Sequence, residues 1–183
     1  MAGKMSMRIA SIALAVILAL LSSFPALAEE TSTGTITITM TTKTVLEIEL
    51  NPTSWGIGPV ELNTEYKTDP EKTWCAMTNR GNCMVNTYIK GEDAEWVDYP
   101  SQKWTLSNDE NNGENEYVLW YWVGWTSGDY ILITKDETGE GTEFYSGLGM
   151  GEEKKFGLKL LTPTFFYGGR EMKTTITVSA VAA

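Results

Sequence analysis

Polar and apolar residues alternate at every second position over most of this chain, and that spacing predicts β-strands. The first run is 33–40, TGTITITM: Ile36, Ile38 and Met40 share one face, Thr35, Thr37 and Thr39 the other. Residues 44–50, TVLEIEL, repeat the pattern with Leu46, Ile48 and Leu50 inward and Glu47 and Glu49 outward, and Asn51-Pro52 breaks it. Gly56-Ile57-Gly58-Pro59 is a loop or a short edge strand. Further strands are expected at 73–77 and 83–90, joined by a turn over 78–82, and at 102–107. Residues 116–123, EYVLWYWV, are apolar on both faces, as a strand covered on both sides must be. Residues 128–134 are expected to pair with it across a turn at 124–127. Residues 154–161 align Phe156, Leu158 and Leu160, and 171–180 align Met172, Ile176, Val178 and Ala180.

Short strands punctuated by Gly, Asn and Pro, with no helical period beyond the first two dozen residues, predict an all-β antiparallel sandwich. The 33–40 strand is the odd member. It stands near the start of the chain with no turn to fold it onto a close partner. Its backbone groups must find a sheet edge in the same molecule or in another. The last strand alternates equally well, so it is a second candidate for an edge-seeking segment.

What precedes residue 29 has the organisation of a secretory signal peptide. Lys4 and Arg8 form a basic start, an apolar run follows over 9–21, and Ala26-Leu27-Ala28 supplies the small-x-small cleavage pattern. The Pro25 break and that site set it apart from a retained pilin helix. The expected division is 1–28 signal peptide, 29–42 N-terminal strand and tether, and 43–183 sandwich domain. Removing 28 of the 183 residues leaves 155, a size that suits one domain. Lys4 and Arg8 leave with the leader, so 12 basic residues remain against 24 acidic ones and the net charge moves from −10 to −12. That balance excludes a general affinity for nucleic acid. No second long apolar run follows, so the exported chain is expected to be free of the membrane.

Candidate chemistry is sparse. The chain has no histidine, which excludes His-based triads and His-ligated metal sites. Cys75 and Cys83 sit on the two arms of the expected 78–82 hairpin and would face each other as a disulfide, stabilising the domain by roughly 2–3 kcal/mol. Trp120, Trp122 and Trp125, with Tyr121 and Tyr130, could present a stacking platform for a sugar, although aromatics in strands more often fill a core. The acidic loops 109–112 and 136–140 carry hard oxygen donors of the type calcium prefers, without EF-hand spacing. Glu47 and Glu49 share one face of a strand, the ordinary polar side of a sandwich and no glycosidase pair by itself. The tripeptide Asn51-Pro52-Thr53 is barred from N-glycosylation by its proline.

Several stretches taken together resemble a family. They are Asn51-Pro52-Thr53-Ser54-Trp55-Gly56 with Gly58-Pro59-Val60, and Met77-Thr78-Asn79-Arg80-Gly81-Asn82. They continue with Trp104-Thr105-Leu106-Ser107, Glu116-Tyr117-Val118-Leu119-Trp120, Gly157-Leu158-Lys159-Leu160-Leu161-Thr162-Pro163, and Met172-Lys173-Thr174-Thr175-Ile176-Thr177-Val178. The set is similar to the archaeal bundling pilins, relatives of the bacterial TasA biofilm-matrix fibres. The resemblance implies a jelly-roll-like sandwich with an N-terminal donor strand, and a secreted, non-enzymatic subunit of an extracellular filament. It implies no cofactor and no metal, and a head-to-tail homopolymer whose only partner is another copy. The donor strand would be Thr35, Ile36, Thr37, Ile38, Thr39 and Met40, filling a groove in the neighbouring subunit. The chain departs from many such proteins in carrying Cys75 and Cys83.

Overall fold

The computed structural model describes residues 36–69, 72, 74–124, 129–135, 139 and 141–183. Among these residues there is no helix, and none long and apolar enough to cross a membrane. The chain divides into two units, Met1–Thr41 and Thr42–Ala183. The described residues of the second unit form twelve strands: β1 (Ile48–Asn51), β2 (Glu65–Lys67), β3 (Cys75–Asn79), β4 (Val85–Gly91), β5 (Ala94–Trp96), β6 (Tyr99–Leu106), β7 (Glu116–Val123), β8 (Ile131–Ile133), β9 (Thr142–Leu148), β10 (Glu153–Leu161), β11 (Met172–Lys173) and β12 (Ile176–Ala182).

Nine strands form one sheet in the order β1-β3-β10-β7-β6-β5-β11, with β2 also on β10 and β8 also on β7. The other three form a small sheet, β12-β4-β9. Both sheets turn apolar side chains into one core. Cys75 and Met77 of β3, Tyr117, Leu119 and Tyr121 of β7, and Phe156, Leu158 and Leu160 of β10 come from the large sheet. Val85 and Ile89 of β4 and Phe144 and Leu148 of β9 come from the small one. Phe144 ties the layers together, meeting Tyr121 at 4.8 Å and Phe156 at 5.0 Å between ring centroids, both edge-on. The coarse expectation of an all-β, sandwich-like architecture therefore holds.

The connections decide which strands face each other. β3 leads into β4 through residues 80–84, and β9 leads into β10 through 149–152, each loop passing from one sheet to the other. β3 thus stands across the core from β4, and β10 from β9. It follows that β1, on the free side of β3, and β12, on the free side of β4, lie on the same flank. The opposite flank is drawn together by β8: the Gly91 N–H at the end of β4 donates to the Thr134 carbonyl just beyond β8, 3.1 Å away.

Asn79 holds the two crossing loops together. It is fully buried. Its side-chain Nδ2 donates to the Cys83 carbonyl at 2.8 Å and to the Leu148 carbonyl at 3.0 Å, and its Oδ1 accepts the Gly81 N–H at 2.9 Å. Its backbone N–H donates to Glu152 and its carbonyl accepts from Gly151. A buried amide with every group engaged is what fixes a chain crossing in one geometry.

Three expectations are corrected by this topology. The segment 78–82 is not a hairpin turn, because Thr78 and Asn79 continue β3 and the chain then changes sheets. The sheet is mixed: β6 and β7 run parallel through Thr105↔Glu116 and Leu106↔Tyr117. The C-terminal run is two strands, since β11 pairs with β5 in the large sheet and β12 with β4 in the small one. The corner between them is held at Thr174, whose hydroxyl donates to the Glu92 carbonyl at 2.8 Å. The Tyr117 hydroxyl donates to that same carbonyl.

Candidate assembly site

The described part of the leading segment, 36–41, forms no strand. Ile36 is 91% exposed, Ile38 74% and Met40 84%, so the apolar face of the alternating run is in water. Thr35 lies outside the described residues, as does the whole of 1–28 with its expected leader. In the second unit, residues 43–47 are pinned to the first crossing loop. The Asn82 side chain accepts from the Val45 N–H and donates to the Lys43 carbonyl, both at 2.7 Å. The Asn82 and Arg80 N–H groups donate to the Val45 and Glu47 carbonyls. Glu49 pairs with Arg80 at 2.6 Å on an exposed surface, a contact that contributes at most about 1 kcal/mol.

The second candidate edge-seeker is occupied. β12 pairs with β4 over seven residues without a bulge, from Ile176↔Gly91 to Ala182↔Val85. Among the described residues no strand pairs with its other side. The Ala183 N–H donates to Met84, and the Gly91 N–H turns away from β12 to Thr134. The alternation of an antiparallel ladder then aims the backbone groups of Thr177, Ser179 and Val181 at β4. Those of Ile176, Val178, Ala180 and Ala182 point off the sheet. The side chains of Ile176, Val178 and Ala180 pack against the core and are only partly buried, whereas Val85 and Ile89 beside them are fully enclosed.

The expected disulfide is absent. Cys75 and Cys83 are both free thiols, Cys75 buried and Cys83 half-buried. The physical reason is the sheet change after Asn79: Cys75 opens β3 in the large sheet, whereas Cys83 lies in the 80–84 loop that leads to β4 in the other sheet, so the two are not cross-strand neighbours. Burial pushes the Cys75 thiol up from its ordinary value near 9 to about 11. Two outcomes follow. Cys75 should resist alkylation at pH 8 in the folded protein and react on unfolding, while Cys83 reacts in both, as mass spectrometry of iodoacetamide-treated samples would show. The folded state also retains the Cys75 proton longer than the unfolded state, so stability falls as pH rises from about 9 to about 11.

Trp120 and Trp122 are buried and present no open platform. Trp120 and Trp122 are 4% and 2% exposed, and Trp125 lies outside the described residues. They occupy the outer face of β7 under a polar lid. Lys159 sits 3.8 Å above the Trp120 ring and 4.2 Å from Tyr130, and pairs with Glu65. Trp122 meets Tyr130 and Trp74 edge-on at 5.3 and 6.2 Å. In the acidic loop 109–112, Asp109 folds back on itself, accepting from the Asn111 N–H at 2.7 Å. Residues 136–138 and 140 of the second acidic loop lie outside the described residues. Among the described residues, no group of three His, Cys, Asp or Glu is placed to hold a metal.

Asp93 is the most engaged carboxylate. It accepts from Lys135 at 2.7 Å, from Lys103 at 3.2 Å and from the Leu106 N–H at 2.9 Å. Burial opposes its ionisation, but these donors outweigh burial and hold its pKa below the usual carboxylate value. It braces β6 and the end of β8. The sign of that shift means its support is present above pH 4 and is lost as the carboxylate protonates in acid.

Sequence reasoning missed β9, the short strands β2 and β5, the break between β11 and β12, the role of Asn79 and the outward side of β12. β9, TEFYSGL, alternates weakly and holds a glycine, so only its pairing with β4 identifies it. A comparison with known protein families finds no match for this chain. Nor does a comparison with curated proteins.

Proposed function

We propose that this chain is the secreted subunit of an extracellular filament, built by lodging residues 35–40 of one copy in the sheet of the next. The observation that carries the reading is the exposure of Ile36, Ile38 and Met40, three large apolar side chains on one face of an alternating segment. Single exposed apolar residues are common on protein surfaces, but a contiguous alternating set reads as a contact surface. Burying each contributes on the order of 1.5–3 kcal/mol, and strand addition also satisfies backbone groups that the segment cannot pair alone. Each copy gives one segment and receives one, so the contact is head-to-tail and grows an open fibre. The resemblance to the bundling pilins and TasA fibres points the same way, and it is the source of the jelly-roll and cell-surface parts of the proposal. The acidic charge keeps subunits apart until a short-range contact of this type forms.

The test is Ile38→Asp in the full chain. A buried carboxylate in the contact is costly, so negative-stain microscopy should show monomers and no fibres, with export and the thermal transition of the domain unchanged. Fibres of ordinary length from that variant would end the proposal.

A further inference from the structure

The donor reading leaves open where the segment lands, and the strand edges of this domain are not equivalent. Resting on that reading, we infer that the seat is the open side of β12, and that residues 36–40 of a second copy add there as a fourth strand of the small sheet.

Four observations select it. The first is length. β1, β2, β8 and β11 span four, three, three and two residues, whereas β12 spans seven. The second is charge. β12 and the residues on either side of it, TTITVSAVAA, carry none, nor does TITITM, whereas β1, β2 and β11 hold Glu49, Glu65 with Lys67, and Lys173. Charges, bulges and brevity are the means by which sheets keep edges from pairing. The far edge of the small sheet has them too: β9 carries Glu143, a glycine at φ +71 (Gly147) and two register shifts against β4. β12 has none of these devices.

The third is chemistry along the edge. The outward N–H and C=O groups belong to Ile176, Val178, Ala180 and Ala182, and the first three turn their side chains toward the core, which leaves them partly uncovered. An added strand whose apolar residues sit opposite these puts Ile36, Ile38 and Met40 over that margin. It sets Thr37 and Thr39 beside Thr177 and Ser179 on the outer face. A slip by one residue would reverse both faces, so the pattern itself sets the register. The fourth is the flank. The Gly91–Thr134 bond ties the two sheets together on the opposite side, and β12 stands on the other one, beside β1.

Cross-linking tests the seat directly. In a Cys83→Ser background, Thr37→Cys chains are mixed with Thr177→Cys or Ser179→Cys chains and oxidised. An interchain disulfide on a non-reducing gel, for at least one of the two mixtures and for neither variant alone, is the expected result. A Glu49→Cys partner on β1 should give none. A second variant, Ala180→Pro, removes an N–H that points off the sheet and takes no part in the β4 ladder, so the domain should keep its thermal transition and lose fibre formation. Disulfides through β1 instead, or fibres from a folded Ala180→Pro chain, would overturn the assignment to β12 and leave the donor reading standing. Fibres from Ile38→Asp would remove the donor reading itself.

Discussion

Asn79→Ala should destabilise the domain by about 3 kcal/mol, from three side-chain hydrogen bonds at about 1 kcal/mol each. The Cys83 and Leu148 carbonyls and the Gly81 N–H would lose their partner inside a fully buried site. For a domain of this size that is a fall of roughly 6–12 °C in Tm. Urea unfolding should show a lower midpoint at an unchanged slope, the sign of lost stability rather than a changed unfolded state. Asn79→Asp should not repair it, because a carboxylate has no N–H to offer two carbonyls. A midpoint shift within about 0.5 kcal/mol of wild type, the range of ordinary surface substitutions, would mean that the two sheet crossings are held by something other than this amide.

Gly157→Ala is expected to cost about 3 kcal/mol through overpacking. Gly157 and Trp122 are directly paired on β10 and β7, and the indole lies flat over the glycine. A methyl group at position 157 would sit 2.0 Å from Cζ2 of that ring and within 2.4 Å of two more of its carbons. The ring cannot withdraw freely, being 2% exposed and flanked by Trp74 and Tyr130. A lower melting temperature together with a red shift of tryptophan emission would report its displacement. Adding Trp122→Leu should recover part of the loss, because the clash and the ring vanish together. Were the single variant as stable as wild type, the close stacking of this outer face would be refuted. The same stacking explains why these aromatics are poorly placed to grip a sugar. Their faces are already spent on glycine, lysine and one another.

The fibre reading and the packing predictions rest on different parts of the chain. The packing sits wholly within residues 42–183, where pairing and burial are described for each strand. The fibre reading needs a short segment whose sheet partner is not in its own chain. Deleting residues 29–42 should therefore separate them, leaving a folded domain with its thermal transition intact and no filaments, as circular dichroism and microscopy would show.

Much of the strand content was legible in the residues. β7 reads as a doubly covered strand from EYVLWYWV alone, and its burial on both faces follows from that composition. β4 alternates buried and half-buried residues in the period its side chains announce. β10 and the pairing of β8 with β7 were equally plain. Alternation records which residues seek a core, and short-range turn chemistry records where the chain must bend. Neither records which layer a strand joins. The stretch Thr78-Asn79-Arg80-Gly81-Asn82 has a hairpin's composition, yet it carries the chain between sheets, because Asn79 satisfies one carbonyl in the first crossing loop and another at the end of β9. The placement of Cys75 on β3 and of Cys83 in the crossing loop follows from that single crossing. So does the parity of β12: its seven residues were visible as a strand, but which of them turn their backbone groups outward depends on β4 and on the Gly91–Thr134 bond. Local periodicity is a property of neighbours in sequence, and it determined the all-β character and the apolar face of 36–40. Partner choice depends on hydrogen bonds and contacts between residues tens of positions apart, so the layers, the free thiols and the open edge were decided only in three dimensions.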